Sequence, residues 1–176
     1  ESVKEALVNG SFPARVNPIY MDGYGYGSSM FYPDLFLIIP AVMNIVGISL
    51  LLTYKMFLVL ITVIGTCTTY FSLRFVSRDS KCALVGSFVL MLCTYYMADV
   101  NNRAGISEYL ACVFVPVLVA GIYDYFACEG KRTYLLGIAF VGLALSHTIM
   151  TFIGVLVAIA VFVIMLLVPK KRKLVF

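Results

Sequence analysis

The run TYLLGIAFVGLALSHTIMTFIGVLVAIAVFVIMLLV fills residues 133–168 without one Asp, Glu, Lys or Arg. As a single α-helix these 36 residues would rise about 54 Å, against a hydrocarbon core of about 30 Å. The run is too long for one crossing and too apolar for water. Its only polar cluster is Ser146-His147-Thr148. The sequence therefore predicts two membrane helices, near 133–147 and 149–168, broken at that cluster.

The rest of the chain fits this solvent. Of 176 residues, 62% are hydrophobic and 12% charged, about half the charge of a soluble domain. Three more apolar runs are long enough to cross: 54–73 with Lys55 near one end, 82–97 with its flanks, and 109–127 with Pro116 as an internal kink. Five spans result, near 50–75, 80–98, 108–127, 133–147 and 149–168. The predicted fold class is an all-α integral membrane bundle over residues 49–176.

Basic residues set the sides. Arg74, Arg78 and Lys81 follow the first span, Lys131 and Arg132 the third, and Lys170, Lys171, Arg172 and Lys173 the fifth. Cytoplasmic loops concentrate Lys and Arg, and five spans put all three clusters on one side. The PKKRK end then reads as a stop signal rather than a nucleic-acid patch. Residues 1–48 and the loop 98–107 face outward, with the His147 turn.

Within 1–48, the apolar stretch 35–46 is only about 18 Å long as a helix, too short to cross. Pro33 opens it and Gly47 closes it, so it reads as a juxtamembrane helix on the outer face. DGYGYGSSMFYPDLF, residues 22–36, is the loop that feeds it. Gly23, Gly25 and Gly27 permit tight turns. Tyr24, Tyr26, Phe31 and Tyr32 suit either headgroup depth or stacking on a sugar. Residues 3–8 read as the tail of a helix stopped at Asn9-Gly10, and 12–18, with two prolines, as extended. The chain opens with Glu1 rather than Met, and is read as a fragment of a longer polytopic protein. Cys67, Cys82, Cys93, Cys112 and Cys128 form no CxxC pair. They read as small buried hydrophobes, with no disulfide framework and no metal site.

GYGSSMFYPDLFLIIPA (25–41), TYK (53–55), RAGISEYLACVFVP (103–116) and ALSHTIMT (144–151) follow one another in an order that resembles the polytopic bacterial membrane proteins called 6-pyruvoyl-tetrahydropterin-synthase-related. That family is similar to GT-C glycosyltransferases, which take a sugar from a lipid-phosphate carrier on the outer face. The resemblance covers nearly the whole chain. It implies a GT-C-like bundle in a bacterial cell membrane, with membrane lipids and a polyprenyl-phosphate-linked sugar as partners. It names no cofactor. It also implies an acidic residue and a histidine in a segment before NGSFPARVNP that this chain does not contain. Relatives tend to read R-x-A-x-G-E where this chain has Arg103-Ala104-Gly105-Ile106-Ser107-Glu108. The Arg-to-Glu spacing is kept and the glycine is moved.

Sugar transfer needs a carboxylate to take the acceptor's proton and cations to steady the leaving phosphate. The candidate catalytic residues are Asp22, Asp34 and His147. The candidate substrate-binding residues are Tyr24, Tyr26, Lys55, Asp99, Arg103 and Glu108. Each has a structural alternative. Asp22 suits a turn, and Asp34 the start of a helix. Lys55 can snorkel, and His147 can bond a carbonyl freed by the helix break. Asp99, Arg103 and Glu108 can form a loop ion-pair network. On a continuous helix Arg103 and Glu108 face different ways, so their pairing needs a bend. The competing function is a non-catalytic membrane protein, a transporter subunit or a scaffold for envelope polymers.

Overall fold

The computed structural model describes residues 2–11, 13, 16, 21–27, 32–128 and 130–167. Phe31 and the basic cluster 170–173 lie outside them, as does most of the stretch 12–18.

Apolar stripes and helix breakers account for the elements. Helix α1, Ser2–Val8, stops before Gly10, which adopts φ +66°. A 3-10 turn, Leu35–Leu37, leads into α2, Ile38–Ile45, and Gly47 at φ +103° reverses the chain. The Asn44 amide ties that turn by donating to Ile48 O at 2.9 Å. Helix α3, Leu50–Ser77, is the long axis of the bundle. Its buried positions are Thr53, Phe57, Ile61, Gly65, Thr69 and Ser72, a stripe of near four-residue spacing that gives one packed face. Arg78, left-handed at φ 58°, ends it. Asp79 then caps α4, Ser80–Met91, by accepting from Lys81 N at 2.9 Å.

The second apolar run continues through α5, Thr94–Ala98, and a π turn, Asp99–Arg103. The third is α6, Ile106–Cys112, and α7, Val115–Ala127, with Pro116 in the first turn of α7. The expected proline kink is thus a break at 113–114, where proline starts the new helix instead of bending an old one. The Thr68 hydroxyl from α3 lies 3.0 Å from Val113 O and supplies a donor to that carbonyl. Backbone groups freed inside a membrane helix need such partners.

Helices α8, Tyr134–Ser146, and α9, Thr148–Leu167, flank the polar cluster where the sequence predicts the break. Four segments are long and apolar enough to cross a membrane: Leu50–Ser77, Ser80–Arg103, Ile106–Ala127 and Thr148–Leu167. The expected fifth, 133–147, is helical but has only 13 residues, about 20 Å of rise. The architecture is that of a multi-pass membrane protein, with four helical segments long and apolar enough to cross and two shorter apolar helices, Leu35–Ile45 and Tyr134–Ser146, among the described residues.

The bundle has two unlike ends. The Arg132 guanidinium sits 4.6 Å from the centre of the Phe75 ring, and Tyr123 meets the same ring edge-on. This brings the basic turns after α3 and α7 to one end. At the other end Leu37, Val100, Ile106 and Met150 close around a core of Phe57, Ile61, Tyr96 and Tyr109. Of the cysteines only Cys112 is buried, and Cys67 and Cys82 are exposed. The expectation of burial fails for those two because their positions face outward from the bundle, where a membrane protein meets lipid.

Candidate functional site

The polar groups at the second end come from three loops. The π turn places Asp99 and Arg103 one above the other. Ala104 then turns left-handed, at φ 51°, and Gly105 starts α6. This is the bend that pairing across residues 103–108 requires. Arg103 Nη1 donates to Asp99 Oδ1 at 2.9 Å and Nη2 to Glu108 Oε2 at 3.0 Å. The Tyr95 hydroxyl donates to the other Glu108 oxygen, Oε1. One guanidinium fork thus holds two carboxylates, and one tyrosine fixes the second of them.

Burial is uneven across this network. The Arg103 side chain is 58% exposed, whereas Asp99 is only 1% exposed. The second oxygen of Asp99, Oδ2, is buried without a hydrogen-bond partner among the described residues. Gly105 packs beside this carboxylate, and a Cβ built on it would meet Asp99 Oδ1 at ordinary contact distance, 3.4 Å.

The second loop is the α8–α9 turn. Ser146 Oγ donates to Gly142 O at 2.6 Å, and His147 Nδ1 accepts from Met150 N at 3.3 Å. His147 therefore caps α9, and among the described residues its ring bonds no freed carbonyl. This assignment leaves the proton on Nε2. The ring is buried and lies within electrostatic reach of Asp99.

The third loop is the entry to α2. The Tyr32 ring lies 5.5 Å from the His147 ring, centre to centre, and Phe36 lies 5.9 Å from Phe114. Asp34 stands directly before the 3-10 turn, makes no side-chain cap, and has a buried Oδ2 without a partner among the described residues. Its place at the helix start still suits the electrostatic alternative, which needs no hydrogen bond.

Asp34, Asp99, Arg103, Glu108 and His147 accordingly gather at one end of the bundle, from loops far apart in sequence. Among the described residues Asp22, Tyr24 and Lys55 do not join them. Asp22 lies on an exposed turn, Met21–Gly23, with left-handed Met21 and Asp22. Among the described residues no hydrogen bond or ion pair ties it to the cluster. Tyr24 is 92% exposed, and Tyr26 is exposed on the same loop. Lys55 is exposed near the start of α3, the position from which a lysine snorkels.

Two members of the site escaped sequence reasoning. Tyr95 sits in an apolar run, where nothing separates it from an interfacial aromatic. Tyr32 was visible as part of the aromatic loop, but not as the neighbour of His147. Among the described residues no three of His, Cys, Asp and Glu are grouped closely enough to hold a metal ion. No protein-family model, curated protein or solved structure matches the chain.

Proposed function

We propose that the protein is a GT-C-like glycosyltransferase that takes a sugar from a lipid-phosphate carrier at the outer face of a bacterial membrane. The observation that carries this reading is the convergence of residues 32–34, 99–108 and 147 at the end of the bundle opposite the basic turns. Positive loops stay cytoplasmic, which puts the cluster outside. Ionisable groups at membrane depth are costly and are functional sites by default.

Asp34 is the proton acceptor in this scheme. It is a carboxylate whose Oδ2 has no hydrogen-bond partner among the described residues, so it can accept the acceptor hydroxyl's proton without first breaking a bond. Arg103 and Glu108 bind the sugar, the guanidinium through its outward N–H groups and the carboxylate through a hydroxyl. Asp99 and Tyr95 position them. His147 presents Nε2–H beside Tyr32.

The test is transfer from a polyprenyl-phosphate sugar by the purified protein. Asp34→Asn should lower kcat by at least about 100-fold with an unchanged melting temperature. Undiminished turnover would remove Asp34 from the chemistry. A second reading, a non-catalytic scaffold, is favoured by one specific observation: the Arg103 fork is already filled by two carboxylates. In that case Arg103→Lys and Glu108→Gln lower the melting temperature and nothing else.

A further inference from the structure

A cleft of about 180 Å³ lies between α1, α2 and the start of α3. Its walls are largely apolar, and include Leu37, Pro40, Phe57 and Ile106. The polar groups around it are Ser2, Lys4, Asn44, Thr53 and Tyr54, with no Asp or Glu among the lining residues. The Asn44 amide is spent on Ile48 O. The other four each carry a hydrogen-bond donor, and Lys4 forms no ion pair among the described residues. Thr53 is 1% exposed, and its Oγ1 is buried without a partner. An unsatisfied buried hydroxyl costs free energy until a ligand or water meets it. The cleft is therefore apolar along its walls, donor-rich and cationic, which suits a molecule with a chain and an anionic head.

Its setting supplies the class of molecule. Leu35 in the 3-10 turn, Ile39 and Val42 on α2 and Val46 just past its end are all exposed, and their spacing of three and four residues makes one apolar stripe. A helix too short to cross, with an exposed apolar stripe, meets lipid along that stripe. The species that surrounds the cleft is lipid.

We propose that this cleft holds an anionic membrane lipid, with one chain along Leu37, Pro40 and Phe57 and its phosphate on Lys4. The Thr53 and Tyr54 hydroxyls supply the remaining donors. This deepens the glycosyltransferase reading and relocates one part of it. The lipid phosphate goes to Lys4, not to Arg103, whose fork faces two carboxylates. Ile106 lines the cleft and stands two residues from Glu108, so the cleft adjoins the segment that carries the acidic cluster.

The experiment measures lipid binding, not transfer, by native mass spectrometry of the full chain with phosphatidylglycerol and phosphatidylcholine of matched chains. The phosphatidylglycerol affinity should exceed the phosphatidylcholine affinity by about tenfold or more. Lys4→Gln should erase that preference, and Lys81→Gln, at the basic end, should leave it. Ala41→Leu, which fills the cleft, should weaken both lipids. If Ala41→Leu does not fold, Lys4→Gln decides alone. Equal affinities in the wild type, or a preference that survives Lys4→Gln, would overturn the proposal. So would thermal stabilisation by inorganic phosphate equal to that by the lipid, which marks a free-anion site. Lipid selectivity without sugar transfer would leave the cleft standing and sink the enzyme.

Discussion

At the scale of single residues, charge in this chain is held by geometry that a linear reading does not carry. Asp124 is the clearest case. It is 1% exposed within α7, and its Oδ2 accepts from Arg132 N at 2.6 Å while its carbonyl accepts from Cys128 N and Gly130 N at 3.0 Å each. One aspartate thus gathers the whole α7–α8 turn and aims Arg132 at Phe75. The sequence shows the acid inside an apolar run, but its partner is a backbone N–H eight residues on, which no side-chain spacing announces. Asp124→Ala should cost about 1–3 kcal/mol, the usual penalty for orphaning a buried donor, read as a lower melting temperature in detergent. Asp124→Asn keeps an acceptor and should cost less. Equal stability in all three proteins would show that the turn holds without it. The Arg103–Glu108 pair was hidden for a related reason. It depends on a left-handed alanine, a conformation few non-glycine residues adopt, and no pattern of hydrophobicity encodes it.

At the scale of elements, the break at 146–148, the short helix ended by Gly47 and four of the crossing-length helices were legible, because length and polar punctuation decide them. The reach of α8 was not. A uniform apolar run says that a helix exists there and not how far it extends. What fixes α8 is packing: a Cβ built on Gly142 would lie 2.2 Å from the Phe114 ring, and one on Gly121 2.9 Å from Leu136 N. The helix therefore crosses the broken third segment at backbone contact, as small residues allow in membranes. Phe114 sits in the break itself, and its ring also meets Phe36 at the entry to α2. Displacing α8 therefore loosens the Tyr32–His147 contact as well. Gly142→Ala should destabilise by about 1–3 kcal/mol through overpacking. Gly137, where an added Cβ meets nothing within 4 Å, is the control, and Gly137→Ala should be neutral or slightly stabilising. A reversal of that order would mean that α8 is not seated against Phe114.

At the scale of the whole molecule, the arrangement is a polarity between two ends, and sidedness follows from it. Arg78 and Lys81 on the first turn share an end with Lys131 and Arg132 on the second, joined through Phe75. Tyr24 follows the exposed turn Met21–Gly23, and the basic-loop rule puts residues 1–48 on the side opposite the basic turns. If basic loops stay cytoplasmic, a reagent that cannot cross the membrane must distinguish the two. The short helix α8 does not alter this outcome. Whether α8 and α9 are two full crossings or a hairpin with His147 at its buried tip, the chain returns to the basic end. The test is single-cysteine labelling in intact cells, after the five native cysteines are replaced. Tyr24→Cys introduces a thiol at the most exposed aromatic of the loop, and should react from outside at once. Lys81→Cys should react only after permeabilisation. Thr148→Cys, at the exposed position beside the buried His147, separates the two hairpin geometries: a full crossing leaves it open to the outer solution, and a tip within the membrane protects it in intact and permeabilised cells alike. Labelling of Lys81→Cys from outside would invert the molecule, and would place the acidic cluster where no lipid-linked sugar on the outer leaflet can reach it.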